Sequence, residues 1–565
     1  MLPEVEQNVQ IAWLTLIALL AAPAYVALVR WRSCVILTIT TILCAGLWVT
    51  ALKNVPSHWL GLMDGYLYSM FIKVYTQGWL PLDATSTYPA AYPFYAFYIT
   101  GRIAAFFDCE DPGSVYKWFF LVTYTCTPTL IYVQLKHVID KNAAALAAST
   151  VVPLFIVSNT FDVFQKPHEI WALALAFPAF VSLVSDRFHA LNRNIRFLTG
   201  VSIGLSFGIY SPYAVGIAFS FLVLVIAQLR TSFRNSEAFL FRHAFDPPFL
   251  VGTIITAAPW FMVYLWGYFA FGGGPHVSFM TLLDLRQWFL DPSFDRIWFF
   301  TTISTAIALL LLENGLARKL AVAAITTVCL YEIFVIAAPH HLHTSIFKYY
   351  TAIFAIVPLA VAAWADTNES RRLVMATATI FLLVLMPHTF FTHLVNGPHY
   401  RFSDELSRAR LNNRRLQEVV ALADEYFKGR RFVYLGNNEA HYMNYYLKSR
   451  GAPHLYYNHT YVSAFENRQT LINRLKAAVK SNDYDEFEAY LKHHKIELLW
   501  FSGKREDSYP LSVVCNDPKV ILPSGNNQYV ETILLPTNWF EQLKHRDNVT
   551  VLRESDEDVV LAIAW

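Results

Sequence analysis

The chain is organised by repeated apolar stretches of close to 20 residues, separated by short polar connections. A stretch of that length is what an α-helix needs to cross about 30 Å of hydrocarbon, where every backbone N–H and C=O must be satisfied inside the segment. Twelve stretches qualify: 10 to 29, 33 to 52, 117 to 135, 143 to 160, 168 to 185, 197 to 211, 213 to 229, 249 to 271, 297 to 313, 318 to 338, 346 to 365 and 372 to 392. The pair around "GIYSPYAV" also reads as one long bent helix. The mean hydropathy of +0.35 and a charged fraction of 15% agree with membrane spans, since soluble domains carry about a quarter charged residues. The sequence therefore predicts a polytopic α-helical membrane protein of about 12 spans. The opening "MLPEVEQ" lacks the basic residues of a signal peptide, so the first stretch reads as a retained span.

Charge is unevenly distributed. Residues 393–565 hold 22 of the 44 Lys and Arg and 22 of the 42 Asp and Glu. That shift divides the chain into a multi-span domain, 1–392, and a C-terminal α/β domain, 393–565. In the tail, "SDELSRARLNNRRLQEVVALADEYFKG" reads as a helix from a Ser403 N-cap to a Gly429 stop. Helices follow near 463 to 480 and 485 to 494, with strands at "RFVYLG", "IELLWFS", "VETILLP", "VTVLRE" and "VVLAIAW".

Alternate connections carry the Lys and Arg: "RWRS", "KHVIDKN", "DRFHALNRNIR", "RTSFRNSEAFLFRH", "ARK" and "SRR". Short basic connections face the cytoplasm, which places the intervening loops and the α/β tail outside. The expected location is the plasma or inner membrane, with the tail extracytoplasmic.

Several function classes drop out. Basic residues are dispersed and no patch interleaves them with aromatics, so no nucleic-acid partner is expected. There is no GxGxxG, Walker loop or HExxH. Six cysteines stand singly, and Cys109 and Cys515 alone fall outside the apolar stretches. "PHHLH" at 339 to 343 is a weak metal tract beside a span, and no DxD pattern in the loops between the spans supports a metal-bridged phosphate. No metal ligand is assigned and no cofactor is required by this reading, with divalent-metal dependence left open.

Ionisable groups at a span end are costly and are functional candidates for that reason. On the outer side these include Asp64, Lys73, Arg102, Lys166, His168, Glu169, Arg286 and Lys348. A lone carboxylate suits transfer from a lipid-phosphate sugar. The phosphate leaves as an anion and needs no general acid, so one base on the acceptor hydroxyl and cations on the phosphate suffice. Asp64 is the candidate base. Its bland alternative is an N-cap of the helix "GYLYSMFIKVYTQG", and Lys or Arg near a span end also snorkels by habit.

The position of Asp64 in "MDGYLYS", shortly after a span, resembles the first outer loop of GT-C glycosyltransferases. The order of "TYPAAYPFYAFYITGRIAAFF", "QKPHEIWAL", "FKYYTAI" and the tail segment "YYNHTYVSAFENRQTLINRL" is similar to the galactan arabinofuranosyltransferase (AftA-type) family within them. The resemblance implies inverting transfer of a D-arabinofuranosyl unit from a polyprenyl-phosphate donor at the outer face. By position, Asp64 would be the base, Tyr88, Tyr92 and Arg102 would shape the site, and Lys166, His168 and Lys348 would contact donor phosphate or sugar. The implied partners are the polyprenyl-phosphoryl sugar, membrane lipid, and a glycan (galactan among them) or surface-protein acceptor. The alternatives are a mannosyl or aminoarabinose transferase of the same architecture, and a polysaccharide or lipid transporter. No half-to-half repeat supports the transporter.

Overall fold

The computed structural model describes residues 34–54, 71–72, 74–76, 78–81, 90, 93–109, 112–158, 166–232, 239–271, 296–313, 315–337, 352–366, 368–396, 414–428, 432–436, 465–516 and 528–565. The described part of the first domain is helical: α1 (Cys34–Asn54), α2 (Tyr95–Phe106), α3 (Pro112–Leu135), α4 (Lys141–Val157), α5 (Pro167–Val184), α6 (Arg193–Ser232), α7 (Phe239–Ala244), α8 (Pro247–Phe271), α9 (Arg296–Leu312), α10 (Leu316–Ala337), α11 (Ile353–Ala365) and α12 (Glu369–Asn396). Four of these, α5, α6, α8 and α12, are long and apolar enough to cross a membrane, and shorter apolar helices lie within α1, α4, α9 and α11. The protein is an integral membrane protein. The expected stretch at 10 to 29 lies outside the described residues, and the full count of twelve rests on the sequence.

The 40-residue stretch α6 is two arms. Its backbone leaves the helical region at Tyr210, with φ −160° and ψ 90°, two residues before Pro212. Near one end of α6, Arg196 pairs with Asp246, and near the other, the Gln228 side chain accepts from the Leu240 N–H at 3.0 Å. Leu240 and Asp246 are six residues apart, whereas an unbroken helix of this length would hold its ends about 60 Å apart. The chain therefore turns back at "YSP", as the two-span reading of this segment requires.

Contacts also sort the connections into two ends. Asp186 pairs with Lys319 at 2.6 Å, Asp140 with Arg372 at 3.4 Å, and Arg371 with Glu313 at 3.2 Å. The Arg187 guanidinium donates to the Val138 carbonyl, and His243 Nδ1 lies 2.7 Å from the Leu183 carbonyl. Five of the basic connections named above are thus tied together at one end of the helices. Lys166, His168 and the Tyr210 turn lie at the other.

Close packing joins the first arm of α6 to α8, which run parallel: the Gly200 position abuts the Phe249 carbonyl and Gly252 abuts the Phe197 carbonyl, with no room for a methyl group on either. Small residues let membrane helices approach in this way. The indole of Trp48 on α1 meets Phe120 and Tyr124 of α3 at 4.9 and 4.7 Å and Phe390 of α12 at 5.1 Å.

The tail holds α13 (Arg414–Tyr426), β1 (Val433–Gly436), α14 (Phe465–Ser481), α15 (Tyr484–His493), β2 (Ile496–Ser502), β3 (Ser508–Asn516), β4 (Gln528–Pro536), α16 (Thr537–Lys544), β5 (Val549–Glu554) and β6 (Asp558–Ile563). Strands order β1-β2-β6-β5, with β1 and β2 parallel and the other pairs antiparallel; β3 and β4 form a separate hairpin. The run "LLWF" is continuously apolar because the sheet is covered on both faces. Leu499 and Phe501 pack with α14, α15 and α16, while Leu498 and Trp500 pack with Val419 and Ala423 of α13. Helices at 463 to 480 and 485 to 494 and the strands "IELLWFS" and "VTVLRE" fall where the sequence places them. The strand β3 and helix α16 were not anticipated.

Candidate active site

The start of α5 concentrates three of the expected residues. Pro167 occupies the first helical position, where its missing N–H costs nothing and its φ is already helical. Glu169 lies in the first turn, where the helix dipole favours a carboxylate, and its N–H donates to the Lys166 carbonyl at 3.0 Å. Lys166, His168 and Glu169 are all buried, with His168 fully so. Placing a lysine, an imidazole and a carboxylate in one buried turn at a span end is expensive, and such groups are retained for chemistry more often than for packing.

Aromatic rings enclose that turn. Phe97 of α2 meets the His168 ring at 4.9 Å, and Tyr210, at the reversal of α6, meets it edge-on at 5.8 Å. Tyr213 meets Tyr210 edge-on at 5.2 Å and reaches Phe177 of α5 at 5.6 Å. The imidazole is therefore held from two sides by elements distant in sequence.

The helix α2 is fixed to the bundle by an unusual contact. Tyr95 Oη donates to the Thr256 carbonyl at 2.7 Å and accepts from the Trp260 N–H at 3.0 Å. Those two groups are separated by the four residues of a normal helical bond, and Pro259 lies between them, so the phenol is inserted into the ladder of α8. The ring of Tyr95 also fills the space beside Gly208, next to the reversal of α6.

On its other flank α2 carries the segment following Asp64. Phe71 stacks on Phe97 at 5.6 Å. A methyl group at Gly101 would lie 2.6 Å from the Ile72 carbonyl oxygen and 2.7 Å from Tyr75 Cβ, so only glycine permits this approach. The Arg102 guanidinium donates to the carbonyls of Tyr75 and Gly78 at 3.1 and 3.2 Å and covers the Trp79 ring at 3.9 Å. Arg102 stands about 140° around the helix from Phe97. It clasps the segment from Tyr75 to Trp79, and this is the role its described contacts define. Ile99, Ile103 and Phe106 of α2 and Phe107 just after it are exposed, as expected of a helix lying at the membrane surface.

Of the residues expected at the site, Arg102, Lys166, His168 and Glu169 are described, and Lys166, His168 and Glu169 share one turn. Asp64, Lys73, Tyr88, Tyr92, Arg286, Lys348 and the "PHHLH" tract lie outside the described residues. Among the described residues no three metal-ligating side chains converge. Phe97, Tyr95 and Tyr210 were missed by sequence reasoning, because an aromatic beside a span is also what an interfacial belt contains.

Two crystal structures of ArnT from Cupriavidus metallidurans are similar to this chain across 93% of its length and 97% of theirs, at 11% identity. The one bound to undecaprenyl phosphate superposes with a TM-score of 0.50, and the apo form with 0.49. The Archaeoglobus fulgidus oligosaccharyltransferase is more distant, with a TM-score of 0.42, 15% identity, and coverage of 89% of this chain and 73% of that one. No family model matches the sequence. No curated protein matches it either. At the level of fold, the chain shares the architecture of the ArnT structure bound to undecaprenyl phosphate. The arabinofuranosyltransferase resemblance is not reached by this comparison.

Proposed function

We propose that the protein transfers a sugar from a polyprenyl-phosphate donor to an acceptor at the outer face of the membrane, and that the sugar is a D-arabinofuranosyl unit passed with inversion to a cell-surface glycan. The observation that carries this reading is the buried Lys166, His168 and Glu169 turn, walled by Phe97 and Tyr210, on a fold shared with ArnT. The ArnT structure bound to undecaprenyl phosphate supports the donor class, and the order of motifs from Asp64 to the tail supports the sugar.

In this mechanism Asp64 takes the proton of the acceptor hydroxyl. The hydroxyl oxygen attacks the anomeric carbon as the bond to the phosphate oxygen breaks, and the phosphate departs with the electron pair. A phosphate monoester is stable as an anion, so the leaving group requires cations and not an acid. Lys166 is the buried cation suited to that task, with Lys73, Arg286 and Lys348 as its companions. Asp64 stands seven residues before Phe71, and chain connectivity alone tethers it within about 25 Å of the ring stacked on Phe97. Tyr88 and Tyr92, in the same loop, would shape the sugar subsite. The α/β tail would present the acceptor.

The test uses membranes from a strain lacking the endogenous protein, supplied with labelled polyprenyl-phosphoryl arabinose and extracted surface glycan. Asp64→Asn keeps a capping side chain and removes the base, so transfer should fall at least about 100-fold at unchanged expression. Wild-type transfer by the Asn variant would reduce Asp64 to a cap. If the wild type uses mannosyl or aminoarabinosyl donors and not arabinose, the chemistry stands and the sugar changes. A parallel assay with chelator determines metal dependence.

A further inference from the structure

A cavity of about 440 Å³ lies between α4, α9, α11 and α12, away from the His168 turn. It follows one face of α9 through Trp298, Thr302, Thr305, Ala308 and Leu312, and ends at Glu313. That path covers 16 residues, Trp298 to Glu313, about 22 Å along the helix, or most of the hydrocarbon thickness. Its walls are effectively hydrocarbon: Thr302 and Thr305 return their hydroxyls to the carbonyls of Trp298 and Thr301, at 2.7 and 2.8 Å. Thr150 bonds the Leu146 carbonyl and the Thr379 hydroxyl. A long apolar slot at membrane depth fits a linear chain and has nothing to offer water.

Charge fixes which end holds a headgroup. Glu313 is the ionisable residue among those lining the cavity. Its carboxylate accepts from Trp364 Nε1 at 2.9 Å and pairs with Arg371 at 3.2 Å, and both partners remain partly exposed. The Arg371 guanidinium also lies over the Trp364 ring at 4.9 Å. This mouth is at the end of the bundle where the basic connections meet, opposite His168. The neighbouring cations are already matched, Arg372 by Asp140 and Lys319 by Asp186. The mouth thus presents one cation and one anion side by side, complementary to a headgroup that carries both and poorly matched to a purely anionic one.

We propose that this slot is a binding site for an aminophospholipid, phosphatidylethanolamine in type, of the leaflet bordering the basic connections. One acyl chain lies along α9, the phosphate meets Arg371 and the ammonium meets Glu313. The site is distinct from the donor site of the proposed transfer, whose sugar phosphate belongs at the opposite end.

The test extracts the full chain into nanodiscs from vesicles containing phosphatidylcholine, phosphatidylethanolamine, phosphatidylglycerol and polyprenyl phosphate, and identifies retained lipid by native mass spectrometry. The wild type should enrich phosphatidylethanolamine about tenfold over phosphatidylglycerol. Ala308→Trp, which fills the slot, should abolish retention, and Ala378→Phe does the same from α12 should the first variant fail to fold. Glu313→Gln should keep a lipid and lose the headgroup preference. Preferential retention of polyprenyl phosphate or phosphatidylglycerol, retention unaffected by either plug, or no retained lipid would each overturn the proposal.

Discussion

His168 and Tyr210 meet edge to face, 5.8 Å between ring centroids and 70° between planes, although 42 residues separate them. The contact exists because α5 begins, and α6 reverses, at the same end of the bundle. A histidine at the first turn of one span is thereby oriented by the turn between two others. The relationship links a backbone irregularity to the chemistry proposed for the site.

Replacing His168 separates packing from chemistry. His168→Ala leaves a void between Phe97 and Tyr210 and should lower stability by about 2–4 kcal/mol, read as a fall in thermal midpoint in detergent. His168→Phe refills the space without a ring nitrogen. It should retain the midpoint to within a few degrees and still lose about 100-fold in transfer, since positioned proton-transfer and hydrogen-bonding groups contribute at that scale.

Gly101 controls the approach of the segment holding Ile72 and Tyr75. Gly101→Ala places a methyl group 2.6 Å from the Ile72 carbonyl, and the segment must move. The expected cost is about 1–3 kcal/mol in stability. Protease susceptibility between residues 71 and 81 should rise, whereas Gly315→Ala, in open space but at positive φ, should leave that readout unchanged.

Asp246 is the buried anion of the basic end. Its side chain is 4% exposed, pairs with Arg196, and accepts from the Phe249 N–H at 3.3 Å. Asp246→Ala leaves a guanidinium without its partner in a poorly hydrated place and should cost about 3–5 kcal/mol. The double change Arg196→Met with Asp246→Leu should recover most of that loss. Thermal unfolding of the three variants checks both statements.

In the tail, His494 is held neutral. Burial, with His493 and Arg474 nearby, lowers its pKa from 6.5 to about 4. The unfolded chain therefore binds more protons than the folded one between those values, and stability must fall as pH drops from about 6.5 toward 4. Hydrogen exchange of β2 amides across that window should accelerate as pH falls, after correction for intrinsic rates, and His494→Gln should flatten the trend.

Much of this architecture is written in local pattern. The period-2 alternation of Leu499 and Phe501 against Leu498 and Trp500 lies inside a continuous apolar run, so "IELLWFS" reads as a strand without knowledge of its neighbours. The strand β3 escaped because Pro510 interrupts "SYPLSVVCN", and a proline within a run argues against a strand. It is tolerated here in an isolated hairpin, opposite Leu534. At the site, Lys166, His168 and Glu169 stood out because charge is rare at a span end. Phe97 and Tyr210 carry no such contrast with their surroundings, and their roles follow only from which helix ends meet. Tyr95 is harder still: its signal is the Pro259 on another helix, which frees the ladder it enters.

The threonines of the spans have a consequence for how the chain enters a bilayer. Thr41, Thr127, Thr150, Thr302 and Thr379 each return the hydroxyl to the carbonyl four residues back. A residue-by-residue hydropathy sum counts every one of them as polar, yet with the hydroxyl tied back the group each turns away from its own helix is a methyl. Toward the bilayer such a residue behaves as a valine with an internal tether. Helices such as α4 and α9 are accordingly greasier than their letters, and the insertion machinery, which samples side chains on a formed helix, should accept them more readily than composition suggests.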